Sequence, residues 1–203
     1  MSQSAEKTHM NLAEYKLKIL HSYFFVLLIS YLLGIFLAYP KYGLLSIGLQ
    51  LAALNFYVYG IHRLSHNMPS IFVNYHMYSH HNKKLGLPRP LELACEFLCD
   101  FSWFLLLMAA QYLLKVDILS NTLILFIGLW YSSVHVLNLS LGDSKEHRIH
   151  HGESDYNYGP PYIDILFGTL KTEVNSDEND KIKNGVIIFF FLKLLQTQTK
   201  LLS

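Results

Sequence analysis

Charge is scarce in this 203-residue chain: only 15% of its residues are Asp, Glu, Lys or Arg, against roughly 25% in a soluble domain. The balance is also nearly even, +1 with histidine neutral, which excludes the basic field that draws nucleic acid. Cysteine is almost missing. Cys95 and Cys99 are the 2 present, and their spacing puts them on one helix face, more in keeping with packing than with a disulfide framework or metal ligation. A reducing compartment suits such a chain. No cleavable leader is expected, because residues 1–20 are polar and of mixed charge and the apolar run after them is too long for a leader's core. Internal repeats and low-complexity tracts are absent as well.

What the chain has instead is apolar length. Residues 22–39 and 43–60 are uncharged runs separated by Pro40-Lys41-Tyr42, each just long enough to cross a bilayer. Gln50 and Asn55 make the second more polar. A third run, 97–114, is weakened by Asp100 and Gln111. After Lys115-Val116-Asp117 a fourth, 118–140, carries only polar interruptions and His135. The run from Val186 to Leu195 is too short to cross and contains Lys193, so 186–203 reads as a short interfacial or packing helix. The expected fold is therefore all-α: one integral membrane domain over 1–203, with a polar tail at 1–20 and four transmembrane helices. A polar section at 61–92 and another at 141–185, with a loop near 175–180, complete it. Two crossings separate these sections, so both emerge on one side of the membrane. Most cations lie there too, which makes that side, a histidine-rich helical cap, cytoplasmic.

The 11 histidines are not scattered. Apart from His9 and His21, they fall at His62 and His66, at His76, His80 and His81, at His135, and at His147, His150 and His151. On a helix His62 and His66 lie about 40° apart, and His147, His150 and His151 share an arc of about 100°. Both sets can aim ring nitrogens at one centre. The middle set is less regular, since His81 falls about 140° from His76 on an ideal helix. It either serves a different ion or sits where the helix is distorted. Neutral imidazoles suit iron, zinc, copper and nickel, and so many ligands exceed what one ion needs, so two ions is the simpler count. The Glu-x-x-His pairs of soluble di-iron bundles are missing. Around these residues, Asn157-Tyr158-Gly159 reads as a turn or a support to the ligands. Asp164 either holds a histidine ring N–H or caps a helix. Arg63 and Arg148 read as surface cations, and Tyr39, Tyr42, Tyr57, Tyr59, Trp130 and Tyr131 as an interfacial belt.

The three histidine groups resemble the histidine boxes of membrane di-iron oxygenases. Glu146-His147-Arg148-Ile149-His150-His151, followed by Asn157-Tyr158-Gly159 and by Asp164 through Thr169, is similar to the fatty acid hydroxylase and sterol desaturase superfamily, over residues from about 45 to 170. The resemblance implies four spans and all nine clustered histidines as metal ligands. It implies two iron ions, with zinc able to replace them in a purified sample, and dioxygen as oxidant. The implied reaction is hydroxylation or desaturation of a fatty acyl, sphingoid or sterol lipid. Electrons would come from a separate small haem protein or reductase, and the location is the endoplasmic reticulum in a eukaryote, boxes facing the cytoplasm. Two features depart from the pattern. Three residues rather than two precede His80-His81, as in alkane monooxygenases, and Arg89 precedes Pro90-Leu91-Glu92 where many members have histidine. They leave open two alternatives: an alkane or carotenoid type of hydroxylase, and a metal-binding scaffold without catalysis.

Overall fold

Pro40 and Gly43 flank the first tight turn and so separate two long apolar helices, α1 (Leu12–Ala38) and α2 (Leu44–Asn67). The computed structural model describes residues 12–67, 76–81, 86–142, 145–153, 155–171 and 178–202. After α2 come a single π-helical turn, π1 (His76–His81), then α3 (Arg89–Leu114) and α4 (Asn121–Ser133). α4 passes directly into a second π-helix, π2 (Val134–Leu141). Two short helices, α5 (Lys145–Gly152) and α6 (Pro161–Phe167), and the long α7 (Glu178–Leu202) complete the order. Among the described residues every regular element is helical.

Among the described residues, three helices are long and apolar enough to cross a membrane: α1 from Lys16, α2 and α3. Their outer faces carry Phe24, Phe36, Leu49, Leu105 and Leu113, all well exposed. Apolar surface on that scale belongs against lipid. The expected fourth crossing is not among the three. Its sequence divides into the 13-residue α4 and the 8-residue π2, and it lies inside the bundle. Leu123, Ile124 and Phe126 of α4 are fully buried against Ile47, Leu54 and Val58 of α2 and Phe104 of α3. Gly128 makes this closeness possible, because a Cβ there would sit 2.7 Å from the ring of Phe104.

The two tight turns meet at one end of the bundle. Asp117 accepts hydrogen bonds from Lys41 Nζ at 3.1 Å and from Tyr42 Oη at 3.0 Å. Lys115 ends α3 in the left-handed conformation, φ 55°. Gln111 then clamps the turn, accepting from the Leu119 amide at 2.8 Å and donating to the Leu119 carbonyl at 3.0 Å. Gln50 accepts from the Ser120 amide at 2.7 Å. The two glutamines that weaken their spans as apolar sequence are therefore the groups that close this end.

The C-terminal helix differs from expectation. It begins at Glu178, well before Val186, and packs on α1 and α4. The polar first turns stay helical because they are held from both sides. Trp130 Nε1 donates to the Lys181 carbonyl at 2.7 Å, and Lys181 Nζ donates to Tyr23 Oη at 2.7 Å. Of the loop expected near 175–180, residues 175–177 lie outside the described residues, and 178–180 open α7.

Candidate metal centre

At the far end of α2, His62 and His66 project from one face, as their spacing requires. His76 from π1 and His150 from α5 meet them, and one ring nitrogen from each of the four lies within 4.8 Å of all the others. The irregular middle group is resolved by the backbone. In a π-helix the hydrogen bonds run from i to i+5, so residues five apart come onto one face. His76 and His81 accordingly converge, with ring centroids 5.1 Å apart. His81 also lies 4.6 Å from His66 and 4.9 Å from His150, and stacks on His151 at 4.1 Å. His135 sits in π2 at the edge of the group, 5.8 Å from His62 and 6.0 Å from His76. The side chains of His80 and His147 lie outside the described residues.

The rings are held by their second nitrogens. His62 Nδ1 lies 2.7 Å from the Tyr158 carbonyl, and His150 Nδ1 lies 2.7 Å from the Tyr156 carbonyl. A carbonyl can only accept, so both Nδ1 atoms carry the proton and each Nε2 keeps its lone pair. His135 Nδ1 lies 2.5 Å from Asp100 Oδ2, and its Nε2 lies 3.9 Å from Glu96 Oε1. Burial drives the electrostatics. It pushes His150 down to about 3, and it pushes His81 down to about 2 with His151 adding to the effect. His76 is also held well below its ordinary value, by burial first and then by neighbouring imidazoles, His135 foremost. These imidazoles are therefore neutral at neutral pH, the form that binds metal.

That arrangement fits a metal ion. His62 Nε2 and both ring nitrogens of His66 are buried with no hydrogen-bond partner, a costly condition that coordination would relieve. Four imidazole nitrogens within 4.8 Å of one another are a donor set of the kind that iron or zinc takes.

Asp164 supports the site at one remove. It is fully buried and accepts from the amides of Tyr158 and Gly159 and from Thr169 Oγ1, at 3.0, 2.7 and 2.7 Å. It thus fixes the loop whose carbonyl holds His62, and touches no histidine through these bonds. Arg63 reaches back to Tyr59 Oη at 3.2 Å and lies over the Tyr158 ring. Arg89, at the position of the departure, donates to Glu92 at 2.8 Å and to the Ser140 carbonyl at 3.0 Å, bracing α3 against π2. Ser140 also donates to Glu96.

Sequence reasoning missed three participants. Asp100 counted only as an interruption of an apolar run and Glu96, just before that run, was passed over, yet both are buried beside His135. Their signal was available: ionisable residues inside a span are functional by default, and these two lie one turn apart. Tyr131 is not an interfacial belt residue. Its hydroxyl lies 3.3 Å from His62 Nδ1. Trp130 and Tyr59 are likewise buried rather than in a belt.

A cavity of about 140 Å³ opens beside the histidines. His62, His135 and His150 form one side, and Val26, Ile127 and Val134 supply apolar surface around it.

The family model described as fatty acid hydroxylase matches residues 47–169, well over half of the chain. No curated protein and no solved structure matches significantly.

Proposed function

The chain belongs to the fatty acid hydroxylase family, and on that footing we propose that it oxidises a C–H bond of a membrane lipid, using two irons and dioxygen. Hydroxylation is the first expectation and desaturation the second. The observation that carries this reading is the convergence of four imidazoles, drawn from all three histidine groups, within 4.8 Å of one another beside an apolar cavity. His62, His66, His76 and His150 would hold one ion. His81, His135 and His151, with His80 and His147, would hold the second. Bound iron would supply the dioxygen activation and the C–H cleavage.

The chain's own groups do the rest. Tyr158 and Tyr156 carbonyls and Asp100 orient three rings through their Nδ1 atoms. Val26, Ile127 and Val134 exclude water and hold an apolar chain against the histidine side. No side chain is needed as a general acid or base.

We read α4 with π2 as the fourth crossing, one shielded from lipid by its neighbours. It starts beside Gln50 at the closed end and reaches His135 at the histidine end, so it covers the same depth as α2. With the cations on the histidine side, that side faces the cytoplasm, where a separate small haem protein or reductase delivers electrons. In a eukaryote the membrane is the endoplasmic reticulum. The lipid is a fatty acyl, sphingoid or sterol compound.

Lipid mass spectrometry on cells expressing the chain beside a His62→Ala, His150→Ala variant tests the reading. A hydroxylated or newly unsaturated lipid found only with the unaltered, iron-loaded protein is the expected result. Matching lipidomes from two folded proteins, with a donor present, would overturn it.

A further inference from the structure

The family segment explains only one side of the cavity. Tyr23 of α1 and Lys181 of α7 also line it, and both lie outside the matched residues 47–169. Lys181 is only 6% exposed, and its ammonium donates to Tyr23 Oη at 2.7 Å. The backbone cannot easily carry it elsewhere. Its carbonyl is held by Trp130 Nε1, and Gly185, one turn on, lies so close that a Cβ would sit 2.5 Å from the same indole. Asn157 lines the cavity too, also 6% exposed. Its Oδ1 accepts from the Lys171 amide at 2.8 Å, which assigns the amide orientation, and its buried Nδ2 has no hydrogen-bond partner.

An ammonium and an amide NH₂ carry donors only, and a phenol can add one. Three such groups, in a cavity whose other walls are apolar side chains and the histidine side, call for a ligand with a compact, acceptor-rich, negative head. Size narrows the class: a cavity of roughly 150 Å³ holds a benzene. A space of about 140 Å³ therefore suits a carboxylate and its first methylenes, and a fused sterol ring system overfills it. On α1 the cavity-lining residues Tyr23, Val26 and Ser30 share one face, so the chain has an apolar path about 10 Å long leading away from the head.

We propose that Lys181, Tyr23 and Asn157 form a head-group anchor for the carboxylate of a single-chain fatty acid, with Lys181 and Tyr23 supplied from outside the family segment and Asn157 from within it. This rests on the lipid-oxidation reading of the same cavity. The anchor makes α1 and α7 the determinants of which lipid enters, while the histidine segment determines what happens to it.

Fluorescence of Trp130, which lines the cavity, reads occupancy without turnover. In full-length Trp103→Phe protein Trp130 is the only indole left of the 2. Bromine quenches an indole at short range, so 2-bromohexadecanoic acid should quench it saturably. Lys181→Met should weaken binding at least tenfold, Lys181→Arg should largely restore it, and the methyl ester should bind the unaltered protein no better than the acid binds Lys181→Met. Equal affinity of acid and ester, or no effect of Lys181→Met, would overturn the anchor. So would a brominated lysophosphatidic acid that binds as tightly with the same lysine dependence, since the site would then take oxyanions at large. Circular dichroism verifies folding, and Tyr23→Phe, expected to weaken the acid about threefold, serves if Lys181→Met does not fold. Binding is read without iron. Lysine-dependent quenching with no oxidised lipid would leave the anchor standing and sink the catalytic reading alone.

Discussion

At the end of the bundle where the two turns meet, the chain satisfies its own polar groups. Gln111 takes both the amide and the carbonyl of Leu119, Gln50 takes the amide of Ser120, and Asp117 takes Lys41 and Tyr42. At the other end, the same helices deliver imidazoles whose Nδ1 atoms are held by Tyr158, Tyr156 and Asp100, while His62 Nε2 and both nitrogens of His66 stay buried without a partner. Both ends use polar residues inside apolar helices. One end is complete as folded, and the other is shaped for something from outside the chain. A polar residue in a span therefore has to be judged by whether the chain itself supplies its partner.

Acid separates the two ends most strongly. His150 is pushed from 6.5 down to about 3 by burial, and His81 and His76 shift the same way. The unfolded chain then binds more protons than the folded one, so their contribution is complete above the ordinary histidine value and drains away as pH falls toward 3. The closed end responds only at lower pH, because Asp117 is held below its ordinary value of 3.8 by Lys41 and Tyr42, and its contribution is lost only as pH falls below that value. Hydrogen exchange on the metal-free protein between pH 7 and pH 4 should show π1 and α5 opening first while the 111–121 turn stays protected. Uniform loss of protection would erase the contrast.

Asp164→Ala comes next. It removes three hydrogen bonds to a buried carboxylate, at about 1.5–3 kcal/mol each, and frees the loop that holds His62. Both thermal stability and metal content should drop, and a variant with normal metal content would show that the loop is not what fixes His62. Asp100→Leu should act more narrowly. His135, proposed above as a ligand, would lose the partner that orients it, and metal affinity should fall about 10–100-fold, read by competition with a chromophoric chelator. At the closed end, Gln111→Ala should cost about 1–3 kcal/mol of stability through the unpaired Leu119 groups and leave metal content unchanged. A fall in metal content there would mean the two ends are coupled.

The apolar runs made the helical hairpins and the closed turns legible, because length and hydropathy are local properties. The place of the fourth run was not. The 118–140 sequence looks like any other span, and only packing shows that Leu123, Ile124 and Phe126 face protein rather than lipid. At the site, the pair His62 and His66 could be read directly from helical spacing. For His76 and His81 the distortion that brings them onto one face depends on i to i+5 hydrogen bonding, which spacing on an ideal α-helix does not reveal. Asp100 was visible as a charge in an apolar run and Glu96 as one at its edge, but their partner His135 is distant in sequence and adjacent only in space. Lys181 gave no signal at all, since a lysine in a polar stretch is ordinarily solvated.

The carbonyl-held, neutral rings have a consequence for how the centre fills. Metal uptake by histidine or cysteine usually expels protons, and so becomes a competition with acidity. Here His76, His81 and His150 have already lost theirs by neutral pH, and the Nδ1 protons of His62 and His150 stay on their carbonyls throughout. Loading an ion on the shell of His62, His66, His76 and His150 would then be nearly proton-neutral, its readiness set by metal supply more than by ordinary swings in cellular pH.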